Sequence, residues 1–326
     1  MVRVGRTLAA AVVVFLLIVE PALAAGVEKK PVFRVGYLPL LPQLPLVVSY
    51  ENDRYALKKF QLELVKWNSF TSAEAAFRVG ALDAAALPLP IILTMAESGL
   101  QFKALGACHL GGSRLVARQK TELKTLRGKL IGVPGLDSNE NFVLAQELER
   151  EGLRMGIDFK TISVSFDTAI NDLKADKVDA FFLPEPYGSL AETSGLGVPV
   201  EGQRGRLTGT LGTALIVRGE VFEKRKDDVK EWLESVVRAG RSIEKDLTAT
   251  SGRQTAIIQQ NYFGFLQKNI SVILSERRGE LKFGYFKISA EEFKKAENKA
   301  TKMKLLSKSV NYKDIFPAES LLKATQ

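Results

Sequence analysis

The chain has 326 residues, 46% of them hydrophobic and 25% charged, with a formal net charge of +9, the make-up of a globular protein long enough for about two domains. One cysteine excludes an intramolecular disulfide, and a lone histidine beside it gives too few ligands for a structural zinc site and no orienting partner for a Cys–His nucleophile. The positive excess lies in mixed-sign, helix-like stretches such as EKRKDDVKEW, which read as solvated faces and not as a nucleic-acid surface.

At the start, Arg3 and Arg6 precede an apolar run from Leu8 to Val19, followed by Glu20, Pro21 and the small-residue triplet Ala22-Leu23-Ala24. This pattern predicts a cleavable secretory signal over residues 1–24 and a periplasmic mature protein. The run is shorter than the ~20 apolar residues of a comfortable membrane span; an uncleaved anchor is the alternative.

From Phe33 the pattern alternates. A strand over Phe33 to Leu38, a helix near Leu44 to Tyr55, a strand over Gln61 to Lys66 and a helix from Thr71 or Ser72 come first. A strand over Ala84 to Leu87, a helix from about Pro88 to Ser98 and a strand over Phe102 to Ala107 follow. Cys108 in FKALGACHL reads as a small core residue, not a reactive thiol. The order then repeats: strand Leu130 to Val133, helix Ser138 to Glu151, strand Thr161 to Val164, helix Asp167 to Lys174, strand Ala180 to Leu183, helix near Tyr187 to Thr193, and a short strand near Val198.

The repetition is visible in the letters. DAAALPLP at Asp83 to Pro90 and DAFFLPEP at Asp179 to Pro186 stand 96 positions apart, as do Gly36 of FRVGYLP and Gly132 of KLIGVPG. Two similar α/β lobes with mostly parallel sheets are the expectation; chance echo of β-α-β grammar is the alternative. The apolar stretches Ser113 to Arg118 and Thr213 to Arg218 sit where one lobe gives way to the other. They predict two hinge crossovers, with 118–212 as an inserted second lobe and 31–117 plus 213–326 as the first. After Glu220 the pattern is helical nearly to the end, with Val221, Phe222, Val229, Trp232, Leu233, Val236 and Val237 at helical spacing.

The ordered set VGYLP, AAFRVGALDAA, LRGKLIGVPG with LAQELEREGL, and KVDAFFLPEPY resembles the solute-binding components of ABC importers. The resemblance is to the type II periplasmic binding proteins of the nitrate, sulfonate, taurine and thiamine-precursor group, over about Phe33 to Leu322. It implies a two-lobed clamp that closes on a small molecule and presents it to a membrane permease, as a monomer, without cofactor, metal or nucleic acid.

In such sheets ligands bind beyond the carboxyl ends of strands, which places the candidate residues on the strand-end loops. Leu40, Leu41, Trp67 and Phe70 could form apolar walls, with core packing as the competing account, and Gln43 lies in the same first loop. Ser69, Thr71, Ser138 and Asn139, with Asp137, stand at helix starts whose free N–H groups suit an anion; ordinary capping is the alternative. Pro88 and Leu89 end the first proline-bearing strand, and Tyr187 could stack and donate a hydrogen bond. Glu185 is fixed between Pro184 and Pro186 where the first lobe has Leu89. It could contact a ligand cation or clamp the hinge, with Arg114 as its ionic partner or an anion anchor.

The expected function is binding without chemistry, of an organic anion or zwitterion such as a sulfonate or taurine-like compound. An enzyme of the thiamine-pyrimidine or menaquinone type on the same fold, or a periplasmic sensor for a membrane receptor, is the alternative. The sequence lacks HExxH, GxSxG and a Walker loop, and with them the commonest hydrolase signatures.

Overall fold

A computed structural model describes residues 30–204, 206–207 and 212–317, so the expected signal over 1–24 lies outside the described residues. In chain order the first run is β1 (Val32–Tyr37), α1 (Leu44–Asp53), β2 (Gln61–Lys66), α2 (Phe70–Arg78), β3 (Ala84–Pro88), α3 (Leu89–Glu97) and β4 (Phe102–Gly111). The second is β5 (Ser113–Ala117), β6 (Leu130–Val133), α4 (Asn139–Arg150), β7 (Lys160–Ser163), α5 (Ala169–Lys174), β8 (Ala180–Pro184), α6 (Tyr187–Thr193) and β9 (Val198–Pro199). The third is β10 (Thr213–Arg218), α7 (Gly219–Lys224), α8 (Lys226–Thr250), α9 (Arg253–Tyr262), α10 (Gln267–Glu276), β11 (Leu281–Phe286), α11 (Ala290–Lys302) and α12 (Tyr312–Ile315).

The strands make two sheets, ordered β11-β4-β10-β3-β1-β2 and β7-β6-β8-β5-β9. The fold is α/β, two mixed sheets flanked by helices. In the first sheet β10 and β11 run against the other strands, and in the second only β5 does. The two sheets share a register. Val35 and Gly36 of β1 pair with Ala84 and Ala85 of β3; Ile131 and Gly132 of β6 pair with Ala180 and Phe181 of β8, each residue 96 positions beyond its counterpart. The antiparallel neighbours repeat as well. Thr213 opposes Pro88 in the first sheet and Ser113 opposes Pro184 in the second.

The stretches Ser113 to Arg118 and Thr213 to Arg218 do not bridge the sheets as strands. β5 pairs with β8 and β9 inside the second sheet, and β10 with β3 and β4 inside the first. The first passage between sheets is instead Gly111–Gly112, where both glycines have positive φ, 73° and 91°. There a side chain would be strained.

Helix ends follow local chemistry. Ser69 and Ser138 cap α2 and α4 by accepting the N–H groups of Ser72 and Asn141, and Ser289 and Glu292 form a capping box on α11. The long helix α8 buries Val229, Trp232, Leu233, Val236, Val237, Ile243 and Leu247 along one stripe. With α1, α9 and α10 that stripe forms the core on one side of the first sheet.

The expectation of helix nearly to the end after Glu220 misses β11, which pairs with β4 through Leu281–Gly111 and Phe283–His109. Its inward alternation spans only Leu281, Lys282 and Phe283 before Gly284, too short a run to stand out between two helical patterns. From Pro31 the described chain packs as one unit. One apolar cluster runs from Leu38, Leu40, Phe70 and Leu87 through Phe142, Phe166, Leu183 and Tyr187, so the two sheet-bearing lobes meet over a shared core.

Candidate functional site

Between the lobes lies a cleft of about 790 Å³, walled by Pro39, Lys66, Trp67, Asn68 and Ser72 of the first lobe together with Phe263 and Phe265 from the loop after α9. The second lobe contributes Phe166, Asp167, Ile170, Tyr187 and Leu190. The volume suits a small organic molecule. The rings are organised across the lobes. Tyr187 stacks on Phe166 at 5.3 Å and meets Phe265 edge-on at 5.8 Å, while Phe166 meets Phe70 edge-on at 6.0 Å.

Polar groups are few and placed apart on this surface. The Lys66 ammonium reaches the Phe263 carbonyl at 3.4 Å, and the Ser72 hydroxyl donates to Asn68 Oδ1 at 3.2 Å. The indole N–H of Trp67 is buried without a hydrogen-bond partner among the described residues. Burial, with a smaller push from Asp167, raises the Tyr187 phenol above its ordinary range, so it stays protonated and able to donate at neutral pH.

Deeper along the same seam is a void of about 10 Å³, lined by Leu40, Pro42, Gln43, Phe70, Pro88, His109 and Thr213 of the first lobe and by Ser113, Asn139, Glu140 and Pro184 of the second. His109 Nε2 is 2.9 Å from the Thr213 hydroxyl and accepts the Thr213 N–H at 3.2 Å; Nδ1 faces the Gly111 carbonyl at 3.2 Å. Burial lowers its pKa to about 4, which keeps the ring neutral. Cys108 is buried in the first-sheet core, its thiol pushed up to about 12 by burial.

The sequence-predicted residues divide into three groups. Trp67 and Tyr187 line the open cleft. Leu40, Gln43, Phe70, Pro88 and Asn139 line the inner void, where Gln43 is already engaged, accepting the Leu38 N–H and donating to the Ala86 carbonyl. The others stand apart from both surfaces. Leu41 and Leu89 are buried core residues, Thr71 is exposed, and Ser69 and Ser138 spend their hydroxyl oxygens on helix caps. Asp137 is half-buried, and burial raises its carboxyl pKa.

Glu185 and Arg114 belong to a network near the crossover. Glu185 is 2% exposed; its carboxylate accepts the Ser189 N–H at 3.0 Å and hydroxyl at 2.7 Å and lies 3.7 Å from Arg277 Nε. Its backbone is tied as well, N–H to the Gly112 carbonyl at 2.7 Å and carbonyl to the Leu41 N–H at 2.8 Å. Burial outweighs these bonds and raises its pKa. Arg114 pairs with Glu192, at 2.9 Å through Nη2, and Arg277, just past α10, also reaches Glu192 at 3.3 Å and the Ser189 hydroxyl at 3.1 Å. This places charges of both lobes in mutual contact beside the passage.

The cleft residues that sequence reasoning missed as site residues are Pro39, Lys66, Asn68, Ser72, Phe166, Asp167, Ile170, Leu190, Phe263 and Phe265. The repeat held a signal for one of them, since Phe166 stands 96 positions after Phe70. Among the described residues no three His, Cys, Asp or Glu side chains gather as a metal-ligand set.

A family model described as the NMT1-like family matches residues 26–257. No curated protein sequence matches the chain. Among solved structures, the ligand-binding component of an ABC-type import system from Staphylococcus aureus, with zinc bound, is 20% identical, with a TM-score of 0.79 over 91% of this chain and 99% of that one. The periplasmic nitrate-binding protein NrtA from Synechocystis is 15% identical, with a TM-score of 0.79 over 91% of this chain and 88% of its own. The alkanesulfonate-binding protein SsuA from Xanthomonas axonopodis, bound to MOPS, is 17% identical, with a TM-score of 0.70 over 86% of this chain and 96% of that one. At these identities the likeness is one of fold.

Proposed function

This chain belongs to the NMT1-like family, and we propose that it is the periplasmic solute-binding component of an ABC importer, taking a small organic anion or zwitterion and delivering it to a membrane permease. The observation that carries the reading is the interlobe cleft, where five aromatic residues surround an organic-sized space that also holds Lys66 and Asp167. Aromatic walls favour a solute with a carbon body over a bare inorganic ion. A sulfonate or taurine-like compound meets both demands.

Binding needs no chemistry from the protein. The one histidine and the one cysteine are both buried away from the cleft wall. Affinity comes from closing two lobes on one molecule, with movement absorbed at the passage between sheets after Gly111.

A thermal-shift screen of the purified protein against sulfonates, amino-sulfonates, nitrate, bicarbonate, aromatic carboxylates and thiamine precursors tests the reading. A solute at about one hundred times its Kd adds about 2.7 kcal/mol of stability. A hit confined to one class names the solute class. A folded sample that responds to none of them sinks the proposal.

A further inference from the structure

Three consecutive residues in the first turn of α4 carry buried polar atoms without partners among the described residues: Asn139 Nδ2, Glu140 Oε2 and Asn141 Oδ1. Such groups are rare in native interiors, and each one calls for a cause. Glu140 is the most demanding of the three. It is 6% exposed and its Oε1 accepts the Ser113 hydroxyl at 2.8 Å; burial raises its pKa against the pull of Ser113, its own N–H and Ser138, and Oε2 has no partner among the described residues. Among the described residues no cation lies within ion-pair distance of it. A carboxylate so placed is costly unless something else completes its shell.

The surroundings supply the place for that partner. Glu140 and Asn139 line the inner void together with Leu40, Gln43 and Phe70 of the opposite lobe, and at about 10 Å³ the void has room for one water at most. The linings of the void and the cleft are neighbours along the chain. Pro39 lines the cleft and Leu40 the void, Trp67 and Ser72 the cleft and Phe70 the void. Because both lobes line the void, separating them would uncover Glu140.

We infer that Glu140 is a specificity-determining ligand contact that accepts an ammonium or comparable N–H donor of the solute, which makes that solute a zwitterion and not a simple anion. This rests on the solute-binding reading above. The helix start at Ser138, which on position alone suits an anion, carries Glu140, whose charge, once a solute cation offsets the burial that raises its pKa, opposes one. The positive charge available to an acidic group of the solute is Lys66, in the cleft on the other lobe. Asn139, whose Nδ2 has no partner among the described residues, lines the same void.

The test uses pairs that differ by the amino group: taurine with ethanesulfonate, phenylalanine with 3-phenylpropanoate, and 4-aminobenzenesulfonate with benzenesulfonate, titrated calorimetrically into the purified protein and into Glu140→Gln. The expected result is that an aminated member binds at least tenfold more tightly than its partner, and that Glu140→Gln removes most of that preference. Should the variant not fold, the preference of the unsubstituted protein decides alone. A deaminated member that binds as well as its partner, or a preference that survives Glu140→Gln, overturns the inference while solute binding stands. A carboxyl kept protonated to donate to an anion would give that outcome. Binding of nitrate or bicarbonate alone also overturns it, and silence across every probe overturns both readings.

Discussion

Glu185 has two candidate roles, ligand contact and hinge brace, and its own bonds favour the brace. Two prolines hold it at the end of β8, where the repeat position in the first lobe is Leu89, so the duplicated frame does not itself require charge there. In the structure both carboxylate oxygens are spent on Ser189, and Arg277 of the other lobe stands 3.7 Å away. Glu185→Leu would leave the Ser189 N–H without its acceptor and remove one of the carboxylates beside Arg277, and it is expected to cost about 1–3 kcal/mol. Glu185→Gln keeps an acceptor for Ser189 and sheds a buried charge, so its stability should stay within about 1 kcal/mol of the parent, with solute affinity unchanged. Denaturant midpoints at constant slope, together with a solute titration, read both effects. Weakened binding by the Gln variant at unchanged stability would place the carboxylate on the ligand instead.

Among the elements, the link from β4 to β5 is tightly constrained by geometry. A Cβ on Gly112 would sit 2.7 Å from Leu281 Cδ1 and 3.0 Å from Pro42 Cγ, at a φ of +91°. Gly99, after α3, has a similar φ of +81° with open space around it. Gly99→Ala should therefore cost only the backbone strain, about 1–2 kcal/mol. Gly112→Ala adds overpacking and is expected to lose about 1–3 kcal/mol more, measured by chemical unfolding of the two variants side by side. Equal losses would show that the passage yields freely. This link also marks how far the letters could be read. The 96-residue echo, carried by Gly36 and Gly132 and by the two Asp-to-Pro segments, reflects a real register, because strand pairing is local and leaves a periodic trace. The cleft wall was less legible. Trp67 and Tyr187 follow strands and announce themselves, whereas Phe263 and Phe265 lie on a loop between C-terminal helices and reach the cleft only through tertiary packing that no periodicity encodes.

At the scale of the whole molecule, closure is held on two flanks of unequal strength. On one, α11 of the first lobe reaches α4 of the second through Lys299 to Gln146 at 2.8 Å and Lys302 to Glu149 at 2.6 Å. The Lys302–Glu149 side chains are 68% and 58% exposed, and such pairs contribute little in water. On the other flank Arg277, 13% exposed, touches Glu185, Ser189 and Glu192 together. A buried arginine shared among three groups across a seam weighs on the balance between open and closed forms. A solute that binds the closed form sees an apparent Kd divided by the closed fraction, so opening the resting protein weakens binding without touching the site. Arg277→Ala should therefore raise the apparent Kd about three- to tenfold and enlarge the radius of gyration of the solute-free protein, with saturating solute restoring the parent value. Lys302→Ala should do neither. Fluorescence can follow the same titration, since Trp67 lines the cleft while Trp232, the other tryptophan, is fully buried in the first-lobe core. If Arg277→Ala binds and scatters like the parent, the shared apolar core through Phe70, Phe166 and Tyr187 holds the lobes together, and the ion pairs only decorate its edge.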